Sequence, residues 1–297
     1  MAEGTLRVAQ LNAGSLLEPG WDERREVLVT WLEHLAPDIV CLQEVWRDGT
    51  GADTAAWIVD RLGVTDWYWR FGGDGFAPGL WPDETMSFGS AILSRWPIDA
   101  HAHHRLPVIE GRDVVVDSVP WELLYVRTAG LDVFSTHLAP APTHGLHRQR
   151  QVVAIDDHVR AVRGDLDDLG PIGSRREAMP AILCGDFNAE PDSDEIRFLC
   201  GLTPIGDRTT FWVDAWREAG SGPGLTSDPR TNPLAAAMNV TTKRIDYVFV
   251  GDPFQREGGA GRVLSASLAF DKSLTGRVAS DHYGLVVDIA WPTRPPP

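Results

Sequence analysis

Apolar residues recur along this chain in two rhythms, short continuous runs and helical spacings, and the two alternate. The run from Leu6 to Leu11 predicts a strand that ends at Asn12-Ala13-Gly14. After Asp22 the apolar positions Val27, Leu28, Trp31, Leu32 and Leu35 fall three and four apart, which puts them on one helical face, and Pro37 stops the helix. Asp38-Ile39-Val40-Cys41-Leu42-Gln43 predicts a fully buried strand that delivers Glu44 to its C-terminal end. Ser90-Ala91-Ile92-Leu93 and Leu131-Asp132-Val133-Phe134 predict two more strands, the second running into Ser135-Thr136-His137-Leu138. A helix follows, with Val152, Ile155, Val159 and Val162 on one face and Gly164 placed to end it. Ile182-Leu183-Cys184 is another buried strand, which ends by presenting Asp186 and Asn188, and Arg244 to Val250 carries a lone Asp246 inside an apolar run. Strands at Val263 to Phe270 and Leu285 to Trp291 close the chain. The stretch from Trp57 to Trp81, aromatic and glycine-rich, predicts a strand plus a long loop, while Gly164 to Pro180 and Ser221 to Pro233 predict surface loops.

This order implies an α/β or α+β layered fold with two sheets. Polar strand ends recur from residue 12 to residue 282, so a site built from all of them needs both ends of the chain in one fold. One domain over residues 1–292 is expected, followed by a Pro-rich, disordered tail at 293–297. With 297 residues, 43% of them hydrophobic, the chain can bury a sizeable core.

Charge narrows the partners. The formal net charge is −15, with acidic residues spread along the chain and no basic run, a surface that repels polyanions and disfavours nonspecific nucleic-acid binding. Met1 to Thr5 shows no basic segment leading into an apolar stretch, and no window approaches a membrane span, so a cytoplasmic protein is the expectation. Cys41, Cys184 and Cys200 sit in or after apolar runs, as reduced buried thiols do.

The polar residues that apolar strands deliver are Asn12, Glu44, His137, Asp186, Asn188, Asp246, Asp281 and His282. Carboxylate and amide oxygens suit Mg²⁺ or Mn²⁺ rather than a zinc cage, and a hard cation with imidazoles and amide donors is what phosphoester hydrolysis requires. An isolated strand carboxylate at Asp246 needs a partner, and His282 is a suitable one.

Taken in order, Val8-Ala9-Gln10-Leu11-Asn12, Leu42-Gln43-Glu44, Ala91-Ile92-Leu93-Ser94-Arg95, Ser135-Thr136-His137-Leu138, Gly185-Asp186-Phe187-Asn188, Arg244-Ile245-Asp246-Tyr247 and Ser280-Asp281-His282 resemble the endonuclease/exonuclease/phosphatase superfamily. That group includes type I DNases, abasic-site endonucleases, deadenylases, inositol polyphosphate 5-phosphatases and neutral sphingomyelinases. The resemblance implies a four-layered sandwich of two packed mixed β-sheets flanked by helices, with the site at one end. It implies that Glu44, with Asn12 and Asp281, holds Mg²⁺ or Mn²⁺, and that Asp246 orients His282. His137 and Asn188 would donate to nonbridging phosphate oxygens, and Asp186 would position or deprotonate the attacking water; whether Asp186 or His282 is the base stays open. One departure stands out. Some nuclease branches carry an acidic support for the first histidine just before the strand at Ala91, where this chain has Ser87-Phe88-Gly89-Ser90.

The expectation is a Mg²⁺-dependent phosphodiesterase acting on a small phosphorylated molecule or lipid head group. The alternatives are a DNA or RNA nuclease of the same superfamily and a noncatalytic interaction protein that keeps the fold. His101, His103 and His104 fit an exposed strand edge better than a metal site, the Trp-rich segment fits a core cap, and Gly72-Gly73-Asp74-Gly75 lacks the Lys-Ser/Thr ending of a phosphate loop.

Overall fold

Two six-stranded sheets lie face to face because their central strands are apolar on both faces. The computed structural model describes residues 4–63, 67–75, 85–111, 117, 119–164, 179–238, 240–251 and 256–296. The strands are β1 (Thr5–Asn12), β2 (Ile39–Arg47), β3 (Tyr68–Gly75), β4 (Ser87–Ser94), β5 (Ile98–Arg105), β6 (Glu122–Thr128), β7 (Leu131–His137), β8 (Ile182–Asp186), β9 (Trp212–Asp214), β10 (Asp246–Gly251), β11 (Val263–Ala269) and β12 (Gly284–Ala290). One sheet runs β11-β12-β1-β2-β4-β3 and the other β5-β6-β7-β8-β10-β9. Leu6, Val8, Ile39 and Cys41 of the first sheet meet Leu124, Val126, Val133, Ile182, Cys184 and Val248 of the second in the inter-sheet core. The alternate residues Ala9, Leu11, Val40 and Leu42 face outward against α1 (Trp21–Leu35) and α2 (Thr54–Arg61). Leu123, Phe134, Leu183 and Phe249 likewise face α3 (Gly145–Arg163) and α4 (Asp194–Leu199). The result is the mixed four-layer α/β sandwich expected from the sequence.

Strand direction gathers the polar ends. β1 and β2 are parallel, as are β7 and β8, while β10 and β12 run antiparallel to their neighbours β8 and β1. Four strands therefore finish at one rim, near Asn12, Glu44, His137 and Asp186, and two begin there, at Asp246 and just after His282. All three cysteines are free thiols, Cys41 and Cys184 buried and Cys200 half-buried. No described helix is long and apolar enough to cross a membrane.

Three local expectations need correction. The segment from Trp57 begins inside a helix, α2, whose start is set by the Asp53 carboxylate accepting from the Ala55 and Ala56 amides; its strand is β3, and residues 76–84 lie outside the described residues. Composition hid the helix because its eight residues hold one aromatic at their centre and precede a glycine-rich strand. Ser221 to Pro233 is not simply a surface loop: Thr226 and Asn232 are fully buried. Thr226 Oγ1 receives the amides of Ile245 and Asp246, and Asn232 Nδ2 donates to the carbonyls of Ser280 and Asp281, so this segment props both ends of the site. The tail docks as well, with Arg294 paired to Asp38 and Trp96 Nε1 donating to the Pro296 carbonyl. In Gly164 to Pro180, residues 165–178 lie outside the described residues.

One buried cation ties the rim together. Arg24, 5% exposed, donates to the carbonyls of Ala13, Ser15, Glu18, Pro19 and Ala279, joining the loop after β1 to the loop before β12. Arg24→Leu removes these bonds from acceptors that stay buried, so we expect a loss of roughly 3–5 kcal/mol in unfolding free energy, read by urea denaturation. A midpoint equal to that of the wild type would contradict this role.

Candidate active site

Backbone irregularities aim the side chains into the rim. The β2–β4 register shifts between Leu42 and Val45, and Glu44, inside that bulge, adopts φ 55°. Asn188 sits at φ 49° two residues beyond β8. Left-handed conformations at non-glycine residues are costly and concentrate where a functional group must be held. Gly185 serves a close approach: a Cβ there would lie 2.1 Å from the Thr136 carbonyl, so a side chain would push β7 and β8 apart just before His137 and Asp186.

The result is a continuous polar cluster. Asn12 Nδ2 donates to Glu44 Oε1 and to Asp186 Oδ2, each at 3.0 Å, while its Oδ1 accepts from the Gly14 amide. His282 Nδ1 meets Asp246 Oδ2 at 2.8 Å, and Nε2 lies 3.8 Å from both Asp186 Oδ2 and Asp281 Oδ1. His137 Nε2 lies 3.6 Å from Asp186 Oδ2 and 3.8 Å from Glu44 Oε1, with the Asn188 amide at 3.1 Å. The Asn188 backbone N–H donates to Asp186 Oδ1. Every sequence-predicted site residue is thus at this rim. Among the described residues His137 Nδ1 is buried without a hydrogen-bond partner, and Phe88 and Trp121 pack against the ring, in keeping with the missing acidic residue at Ser87 to Ser90.

Crowding several carboxylates in a desolvated rim controls their protonation. Burial, followed by repulsion from Asp281 and Asp186, pushes Glu44 up to about 7 despite the Asn12 bond and His282. Burial and Asp246 push Asp186 up to about 7 against His282, Asn12 and the Asn188 amide. The imidazoles diverge. Burial and the proximity of His282 lower His137 to about 3, whereas for His282 burial is outweighed by Asp246, Asp281 and Asp186, which hold it well above its ordinary value. At neutral pH the cluster therefore contains one neutral and one cationic imidazole.

Sequence reasoning missed the supports. Glu18 accepts from the Asp281 amide at 2.9 Å, and its carboxyl occupies the space a side chain on Gly14 would need. Burial and Asp281 push Glu18 up to about 9, so it is protonated at neutral pH and acts as a strut. Gln10 Nε2 donates to Asp246 Oδ1 and to Gln43 Oε1, and Gln43 Nε2 donates to Ser135 Oγ. Two amides inside otherwise apolar strands were the available signal, since buried polar groups need partners. The site could hold a cation. Donor atoms of Asp186, Asp246 and His282 lie within 4.8 Å of one another, but Asp246 already has both oxygens engaged, whereas Glu44 and Asp281 bring further carboxylate oxygens to the same cluster. The histidines of β5 stay apart: His101 and His103 are exposed on that edge strand, and His104 stacks on His158 at 3.8 Å.

Comparison with known proteins agrees with this architecture. An endonuclease/exonuclease/phosphatase structure from Beutenbergia cavernae superposes with TM-score 0.68 at 21% identity, covering 97% of this chain and 72% of that one. D. rerio TDP2 complexed with single-strand DNA product gives TM-score 0.68 at 18% identity, covering 97% and 99%. The human Nocturnin catalytic domain with bound sulfate gives 0.66 at 19%, covering 98% and 96%. No curated protein matches by sequence. The sequence profile of the Endonuclease/Exonuclease/phosphatase family matches residues 9–282, from β1 to His282 itself. The chain belongs to that family, whose enzymes hydrolyse phosphoester bonds.

Proposed function

We propose that this protein is a divalent-cation-dependent phosphodiesterase that attacks phosphorus with an activated water. The observation that carries this reading is the convergence of Glu44, Asp281, Asp186, His137, Asn188 and the Asp246–His282 pair on one rim, with Asn12 joining Glu44 to Asp186. Glu44 and Asp281 would hold Mg²⁺ or Mn²⁺, and Asn12, whose Nδ2 faces the carboxylates, would keep Glu44 in place. When bound, such a cation neutralises charge on the phosphoryl oxygens.

The chain's own groups supply the rest. His282, fixed through Nδ1 by Asp246, presents a positive Nε2 toward the phosphate. Asp186, raised to about 7, is suited to take a proton from water near neutral pH, which favours it over the cationic His282 as the base. The neutral His137 and the Asn188 amide donate to nonbridging oxygens. A charge of −15 favours a small phosphodiester over a polynucleotide. The likeness to a TDP2 bound to single-strand DNA favours nuclease action as a second reading. A steep fall of oligonucleotide binding with added salt would support the nuclease, and no measurable binding would support the small substrate.

Activity on an activated phosphodiester should vanish in EDTA and return with Mg²⁺; turnover without any divalent cation would refute the mechanism. At saturating Mg²⁺, Asp186→Asn should lower kcat by about 10³-fold with the fold intact by circular dichroism, and it should abolish the rise in kcat/KM between pH 6 and 8 that a base near 7 produces. Persistence of that limb in the variant would assign it elsewhere. Because Glu44 also titrates near 7, protons compete with the cation below that value, so Mg²⁺ affinity measured by calorimetry should be weaker at pH 6 than at pH 8.

A further inference from the structure

Two buried polar groups without partners stand on neighbouring strands at the edge of the site. β6 and β7 run antiparallel with Leu123 opposite Thr136, which sets Glu122, the first residue of β6, opposite His137, the last residue of β7. The Thr136 hydroxyl donates to the Glu122 carbonyl at 3.1 Å and holds that register. Alternation puts both side chains on the inter-sheet face. Leu124 and Val126 follow Glu122 into the core between the sheets; Val133 and Ser135, which accepts from Gln43 of the other sheet, precede His137. Directly opposed residues of an antiparallel pair stand about 5 Å apart at Cβ, within reach of a Glu and a His side chain.

Each of the two side chains lacks what the other offers. Glu122 is 3% exposed, and among the described residues neither of its carboxyl oxygens has a hydrogen-bond partner. Arg105, opposite it on β5, is exposed and does not supply one. Burial and the Asp74 carboxylate push Glu122 up to about 7 against Arg105, so near neutral pH its carboxyl can give a proton or accept one. His137 has Nε2 turned to the Asn188 amide, Asp186 and Glu44, while Nδ1 is buried with nothing among the described residues to bond. Trp121 and Phe88 bring ring surface to the imidazole, with centroids at 5.2 and 6.3 Å. Glu122 is thus the polar side chain that the strand register sets beside this ring, and a carboxyl oxygen and Nδ1 sharing one proton would satisfy both groups.

We propose that Glu122 is a positioning residue for the hydrolytic reaction: its carboxyl shares a proton with His137 Nδ1, fixes the ring and commits Nε2 to donate to a nonbridging phosphoryl oxygen. The proposal rests on the phosphodiesterase reading, under which His137 serves that oxygen. With Nδ1 engaged, the ring carries its outward hydrogen at Nε2. Charge on the phosphoryl oxygens grows in the transition state, so loss of the support appears in kcat rather than in KM.

A double-mutant cycle on the full chain tests this. Glu122→Leu should lower kcat on an activated phosphodiester about tenfold with KM within about twofold of the wild type, and Glu122→Gln, which can still bond Nδ1, should recover most of that rate. In a His137→Ala background, Glu122→Leu should cause no further loss. An equal loss in both backgrounds, or no loss in either, overturns the role. A readout independent of turnover is the imidazole spectrum of ¹⁵N-histidine-labelled protein, with the His137 signals assigned by their absence from His137→Ala. Glu122→Leu should shift the His137 Nδ1 resonance, and Glu122→Gln should shift it less; a wild-type resonance in Glu122→Leu refutes the pairing. Should Glu122→Leu fail to fold, Glu122→Met makes the same comparisons. If no diester is cleaved by the wild type, the hydrolase reading fails, and the spectrum still decides whether Glu122 holds His137.

Discussion

Asp246 is a carboxylate that begins a fully buried strand, and burying such a group alone would cost more than the strand's packing returns. The structure satisfies it from two directions. Gln10 on β1 donates to one oxygen from the opposite sheet, and His282 donates to the other from the loop before β12. One side chain thereby fixes the sheets against each other at the rim and sets the orientation of the imidazole. The same two bonds make the second sheet's strand and the chain's last loop interdependent, so the site forms only when the sandwich does.

The second constraint is like charge. Glu44, Asp186, Asp246 and Asp281 crowd one desolvated rim, and the protein tolerates this by raising some of them toward neutral pH and drawing others onto His282 and Asn12. Carboxylates raised toward neutral pH at one desolvated rim are what several like charges held close together produce. Glu18, kept protonated beneath Asp281, and Arg24, spread over five carbonyls, show how much of the structure is spent on holding two short loops in register.

The elements around the rim add their own surface to the shared strand ends. An indole-lined cavity belongs to α1, α2 and the end of β2 and to none of the family motifs. Its aromatic residues also complete the outer core of the first sheet, with Trp21 and Trp57 packed against it.

Much was legible in the chain because buried strands carry their signal locally: Ile39 to Leu42, Ile182 to Cys184 and Tyr247 to Val250 are continuous apolar runs, and a polar residue at the end of each can only lie at a rim. The motif residues followed, down to Asp246 seeking His282. Less was legible where the signal is not local. The helix at Thr54 was masked by neighbouring aromatics and glycines. The burial of Thr226 and Asn232, the docking of Arg294 and the struts at Glu18 and Arg24 draw on partners 19 to more than 250 residues away, and nothing in a stretch of sequence states which backbone groups will need them. Sequence determined which polar groups stand at the ends of buried strands, because side-chain type and strand periodicity are properties of neighbours along the chain. Tertiary structure alone decided their spacing and protonation, because distance and desolvation are properties of neighbours in space.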